Sequence, residues 1–308
     1  MYRLALGLIA FASVGVAVAS AMPGDESRHA EPLSIGQTFE IRSAILGETR
    51  RINVYYPAGF PTADAQPLPV LYMPDGGMNE DFLHIAGLIE VSVGNNTMRP
   101  WLLVGIENTE RRRDLTGPTD NADDRKIAKH VGASQCFREF IRTELMPEIR
   151  ARYRTTPESG IVGESLAGLF VMETFVLEPD LFDRYVAIDP SLWWNRRQLV
   201  RDAGPRLTGH AFDGKSLFVA SSVDADVTDF AQLVDAKRAA GALPGLEFRV
   251  RPFADETHAT IYHPAALAAF RAVFSTPPAP GSQNSRSSSA VAAPVHLVGG
   301  ACERLPSR

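Results

Sequence analysis

Short runs rich in Val, Ile and aromatic residues recur along the chain, separated by stretches in which apolar residues return every three or four positions. The runs predict strands at 51–56, 69–73, 101–106, 160–163, 185–188, 216–221 and 247–252. The periodic stretches predict helices at 134–152, 166–177, 230–240 and 264–274. In the first of these, Phe137, Ile141, Leu145 and Ile149 recur on one face. Strands that alternate with helices argue for βαβ units, and so for an α/β fold with a mainly parallel central sheet and helices on both faces. There is no internal repeat.

Both ends depart from this pattern. Arg3 precedes an uncharged stretch over 4–24 whose apolar part closes on Ala19-Ser20-Ala21, the small-x-small pattern that a signal peptidase reads. A cleaved leader over 1–21 is expected, and with it a periplasmic or secreted protein; an uncleaved membrane anchor is the alternative. From 276 to 308, Pro, Gly and Ser make up 14 of 33 residues without periodicity, which reads as a disordered tail. One domain over 35–275 remains.

With 308 residues, 45% of them apolar, the chain can bury a sizeable core. Its formal charge of −5, with no basic run longer than Arg111-Arg112-Arg113, argues against a nucleic-acid or anionic-membrane partner. Cys136 and Cys302 have no CxxC or Cys/His spacing, so no metal and no cofactor is implied. An oxidising compartment allows them to pair. The helical setting of Cys136 and the tail position of Cys302 argue against it.

Chemistry concentrates at Gly163-Glu164-Ser165-Leu166-Ala167, where a short apolar strand turns directly into an apolar helix. A serine hydroxyl becomes a useful nucleophile at such a sharp strand-to-helix turn, where small neighbours permit a strained backbone and the helix N-terminus faces developing charge. Ser165 is therefore the candidate nucleophile, with a tight turn around an inert serine as the bland reading. A base should follow it. His210 sits in a Gly-rich connector, His263 at a helix start and His296 in the tail, whereas His258 lies just past the C-terminal end of the strand at 247–252, the sheet edge where ligands bind. Asp224, directly after the preceding strand, is the first candidate for the acid, with Asp226 second and Asp229 third; one of them also suits an N-cap. The oxyanion donors are expected to be the Leu166 N–H and the Gly77 N–H, the latter in the loop after the strand at 69–73.

Gly163-Glu-Ser-Leu-Ala-Gly-Leu169, Pro179-Asp-Leu-Phe-Asp-Arg-Tyr185, Pro190-Ser-Leu-Trp-Trp194 and the segments 106–116 and 140–149 resemble the "Putative esterase" family of α/β-hydrolases. The Pro-Ser-Leu-Trp-Trp and Arg-x-Arg-Asp-Leu-Thr segments are similar to the branch of ferri-bacillibactin and enterobactin esterases. The resemblance implies an α/β-hydrolase fold, a serine carboxylesterase acting on small-molecule esters such as siderophore lactones, and a site mouth lined by Arg111, Arg113, Trp193 and Trp194. Ala167 departs from the family's usual Gly, and Asp189 stands where a Ser commonly precedes Pro-Ser-Leu. An acyltransferase on the same residues, or an inactive binding protein on the same fold, remains the alternative reading. Oligomeric state is not legible.

Overall fold

Among the residues that the computed structural model describes, 32–57 and 66–275, eight strands form one sheet in the order β1-β2-β4-β3-β5-β6-β7-β8. They are β1 (Gln37–Ser43), β2 (Glu48–Tyr55), β3 (Leu68–Pro74), β4 (Leu102–Ile106), β5 (Thr155–Glu164), β6 (Arg184–Ile188), β7 (Ser216–Ser221) and β8 (Glu247–Pro252). β2 runs antiparallel to both β1 and β4, and every other pairing is parallel. β3, β4 and β7 are buried at every position, which is why they read as continuous apolar runs: both faces of a parallel sheet are covered. β1 was not anticipated. Its sequence alternates polar and half-buried apolar positions, Phe39 and Ile41 among them, as suits an edge strand. At the other edge, β8 exposes Arg249 and Arg251, charges that discourage pairing with another chain.

The helices are α1 (Phe82–Gly94), α2 (Arg111–Asp114), α3 (Ser134–Phe140), α4 (Met146–Arg152), α5 (Leu166–Leu177), α6 (Trp194–Arg206), α7 (Thr228–Ala239) and α8 (Tyr262–Val273). A π-helical turn, Ile141–Leu145, joins α3 to α4. Residues four apart drift by about 40° per step on an ideal α-helix. The wider turn takes up that drift, so Phe137, Ile141, Leu145 and Ile149 all remain buried. Parallel crossovers are right-handed. The step from β3 to β4 runs one way along the sheet and the steps from β5 through β8 run the other way, so α1 and α5 lie on opposite faces. α8 packs on α1. Loops leaving the C-terminal ends of the adjacent strands β3 and β5 therefore diverge and open a crevice between them.

Arg50 of β2 is fully buried and paired with Asp114 and with Glu48 of the same strand, and Arg113 bonds the same two carboxylates. Arg113, expected at the mouth of a site, is thus a buried structural residue that helps neutralise the buried Asp114 and the half-buried Glu48. Cys136 is disulfide-bonded, contrary to the sequence expectation. The leader over 1–21, the tail over 276–308 and Cys302 lie outside the described residues. Among those described, no helix is long and apolar enough to cross a membrane.

Candidate active site

Ser165 stands between β5 and α5 with φ 60° and ψ −120°, a backbone conformation costly for a residue with a Cβ. Its neighbours explain how the turn closes. A Cβ on Gly163 would lie 2.6 Å from the Ala167 carbonyl, and one on Gly168 would lie 2.8 Å from the Ile188 carbonyl oxygen. Ala167 fits in place of a second glycine because Gly163 leaves room for its methyl. The Ser165 N–H donates to the Ile188 carbonyl and the Ser165 carbonyl accepts from the Ser191 N–H, each at 3.0 Å, which ties the turn to the end of β6.

The loop after β8 brings His258 over this turn. Its Nε2 lies 3.0 Å from Ser165 Oγ and its Nδ1 lies 2.6 Å from Asp189 Oδ2. Asp189, the residue after β6, has a positive φ of 45° and a side chain shut off from solvent. It also accepts hydrogen bonds from the Ser222 N–H and Oγ–H. A carboxylate held this way makes Nδ1 the donor and leaves the Nε2 lone pair for the serine proton. Asp224 does not reach the ring. Its Oδ2 accepts the main-chain N–H of His258 at 2.8 Å, so it fixes the loop rather than the imidazole. Asp226 caps the Thr228 N–H and, with Asp229, pairs with Arg197. Sequence reasoning missed Asp189 although a signal was present: an aspartate directly after an apolar strand.

The Leu166 N–H opens α5, where the first turn leaves its donors without intrahelical acceptors. The expected second donor is engaged elsewhere. The Gly77 N–H donates to Glu80 Oε2 at 2.6 Å, as in a capping box, and the Gly76 N–H donates to the Ile106 carbonyl. Arg111 grips Asp75 through Nε and Nη2, each at 2.7 Å, and Asn108 Nδ2 bonds both Asp75 and Glu80. Arg111 thus braces the loop after β3. Between this loop and His258 sits Glu164, its Oε1 3.4 Å from Nε2. Burial pushes its carboxyl up to about 7, against the opposing pull of His258 and Arg111.

Of the two tryptophans expected at the mouth, Trp194 is buried, its Nε1–H donating to the Gly117 carbonyl at 2.9 Å. Trp193 is 54% exposed and, with His258, Leu192 and Arg197, lines a cavity of about 340 Å³. Three consecutive residues after it, Asn195, Arg196 and Arg197, are left-handed. The Asn195 N–H bond to Asp124 and the Arg197 pairs with Asp226 and Asp229 hold that run. A hollow of about 710 Å³ around Arg150 to Pro157 is larger, but it lies at the N-terminal end of β5, away from these groups. Among the described residues, no group of three His, Cys, Asp or Glu is placed to hold a metal ion.

The model of the "Putative esterase" family matches residues 43–225. Ferri-bacillibactin esterase from Bacillus subtilis is 34% identical over 43% of this chain and 51% of its own length. A siderophore triacetylfusarinine C esterase from Aspergillus fumigatus is 31% identical over 44% and 49%. The chain thus spans about half the length of these curated relatives. An IroE-like serine hydrolase from Shewanella oneidensis is similar in structure, with a TM-score of 0.67 at 28% identity over 78% of this chain and 80% of that one. The Bacillus cereus BES protein shares the fold, with a TM-score of 0.67 at 20% identity over 81% and 99%.

Proposed function

The chain belongs to the "Putative esterase" family, and from that premise we propose that it is an exported serine carboxylic-ester hydrolase working through an acyl-enzyme. The observation that carries this reading is the hydrogen-bonded line from Ser165 Oγ through His258 to Asp189. Ser165 Oγ bonds to the ester carbonyl carbon as its proton passes to Nε2 and the carbonyl π pair moves onto oxygen. The Leu166 N–H and the positive end of α5 receive that oxyanion. When it collapses, the alcohol leaves with the proton from Nε2 and the acyl group stays on Ser165, until water repeats the sequence in reverse.

Small siderophore-type lactones are the proposed substrates. The names of the two curated relatives support this class, and so does the exposed Trp193, a surface on which a flat ring stacks. Export rests on the uncharged stretch over 4–24, whose apolar part ends in Ala19-Ser20-Ala21.

A fluorophosphonate should label the wild-type chain, and Ser165→Ala should lose both labelling and hydrolysis of aryl esters and siderophore trilactones. Turnover by Ser165→Ala above about a tenth of wild type would overturn the assignment, since losing a nucleophile costs several powers of ten. The mass of the exported protein should begin at Met22.

A further inference from the structure

The proposed reaction uses one carboxylate on the imidazole, yet His258 has two beside it. Asp189 holds Nδ1 at 2.6 Å, and Glu164 Oε1 stands 3.4 Å from Nε2, the atom that exchanges the serine proton. Glu164 comes from the end of β5, directly before Ser165, and its side chain is only 17% exposed. The charged groups around it come from four other elements: Arg111 of α2, Asp75 after β3, Asp189 after β6 and His258 before α8. Tyr262 of α8 stands close enough to feel its charge. Arg111 spends its Nε and Nη2 donors on Asp75, so among the described residues the ion-pair partner of Glu164 is His258.

We propose that Glu164 and His258 form a proton-sharing pair, in which Glu164 is a positioning residue that sets the pH at which the base becomes available to Ser165. This inference rests on the esterase reading of the same site. Ionised, Glu164 repels the lone pair of a neutral Nε2 and attracts the Nε2–H of an imidazolium. It therefore favours the ring state that forms as Ser165 attacks. Protonated, its O–H competes with the Ser165 hydroxyl for the Nε2 lone pair. The working form carries no proton on Nε2 or Glu164, and Ser165 supplies the one that the pair then holds. That proton leaves with the alcohol, so the pair is restored at the end of each half-reaction. Burial raises the Glu164 carboxyl to about 7 against the pull of His258 and Arg111, with Asp75 and Asp189 adding to the rise.

Two such groups titrate as a unit in two macroscopic steps. In the wild-type chain, the His258 ring resonances, assigned by their absence in His258→Gln, should trace two steps between about pH 4 and 9. A single step would overturn the pair. In Glu164→Gln the ring midpoint and the acid limb of kcat/KM on an activated aryl ester should both move down by about one pH unit. Coincidence of both with wild type would overturn the proposal, whereas a purely structural role for Glu164 would lower turnover without moving either midpoint. The two readings fail separately. An active wild type whose limb ignores Glu164→Gln sinks the pair alone, and a wild type without esterase activity whose ring still titrates in two steps sinks the esterase reading alone.

Discussion

Asp189 and His258 meet at 2.6 Å across the C-terminal ends of β6 and β8, while Asp224 of the intervening loop holds only the main chain of the same histidine. Asp189→Asn should retain the fold but present the wrong tautomer to Ser165, lowering kcat by about 10⁴. Asp224→Asn should cost only a few fold, because an amide oxygen still accepts the His258 N–H, and Asp226→Asn should be nearly silent. Steady-state kinetics on one activated ester, with far-UV circular dichroism as a fold check, would separate the three. The reverse order for Asp189 and Asp224 would return the acid to β7.

At the turn that carries Ser165, Gly163→Ala places a methyl 2.6 Å from the Ala167 carbonyl, where neither strand nor helix has slack. A loss of about 1–3 kcal/mol in urea unfolding is expected, with a fall in kcat because Ser165 must shift. Wild-type values for both would mean that the close approach of α5 to β5 is unimportant.

In the buried ion network, Asp114→Ala removes the fully buried carboxylate shared by Arg50 and Arg113 and leaves both cations with Glu48 alone. The cost should be about 3–5 kcal/mol of stability. The exposed Asp226→Ala, which gives up one backbone cap and one surface ion pair, should cost only about 1 kcal/mol. Thermal melts of the two variants check the contrast.

Glu158 bonds Arg99 through both carboxylate oxygens, at 2.6 and 2.7 Å, and Arg184 at 3.2 Å. Burial alone would raise its carboxyl, but the two guanidinium groups outweigh burial and hold it below the ordinary 4.5. A carboxylate lowered in the folded state contributes stability above its unfolded value and loses it as pH falls through its folded value. Glu158→Gln should therefore be less stable than wild type at pH 7, and the gap should close below about pH 4. A gap that persists unchanged at pH 3 would show that packing, not charge, is what the substitution removes.

The α/β alternation, seven of the eight strands, the turn at Ser165 and the position of His258 after β8 were legible in the chain itself, because each depends on local pattern. Apolar runs mark strands buried on both faces, and the small residues at 163, 167 and 168 mark a helix that comes close to its strand. β1 escaped because a half-covered edge strand has only a weak alternation, and α6 because its first turn is left-handed and rich in arginine. Tertiary structure decided which carboxylate faces the imidazole. Asp189 and Asp224 each follow a strand, and only the path of the β8 loop across β6 and β7 puts the Nδ1 of His258 over the first and its N–H over the second. The same holds for the arginines and tryptophans. Arg113 and Trp194 are buried while Arg111 and Trp193 are not, although each pair is close in sequence, because burial depends on which residues of a turn the rest of the fold covers.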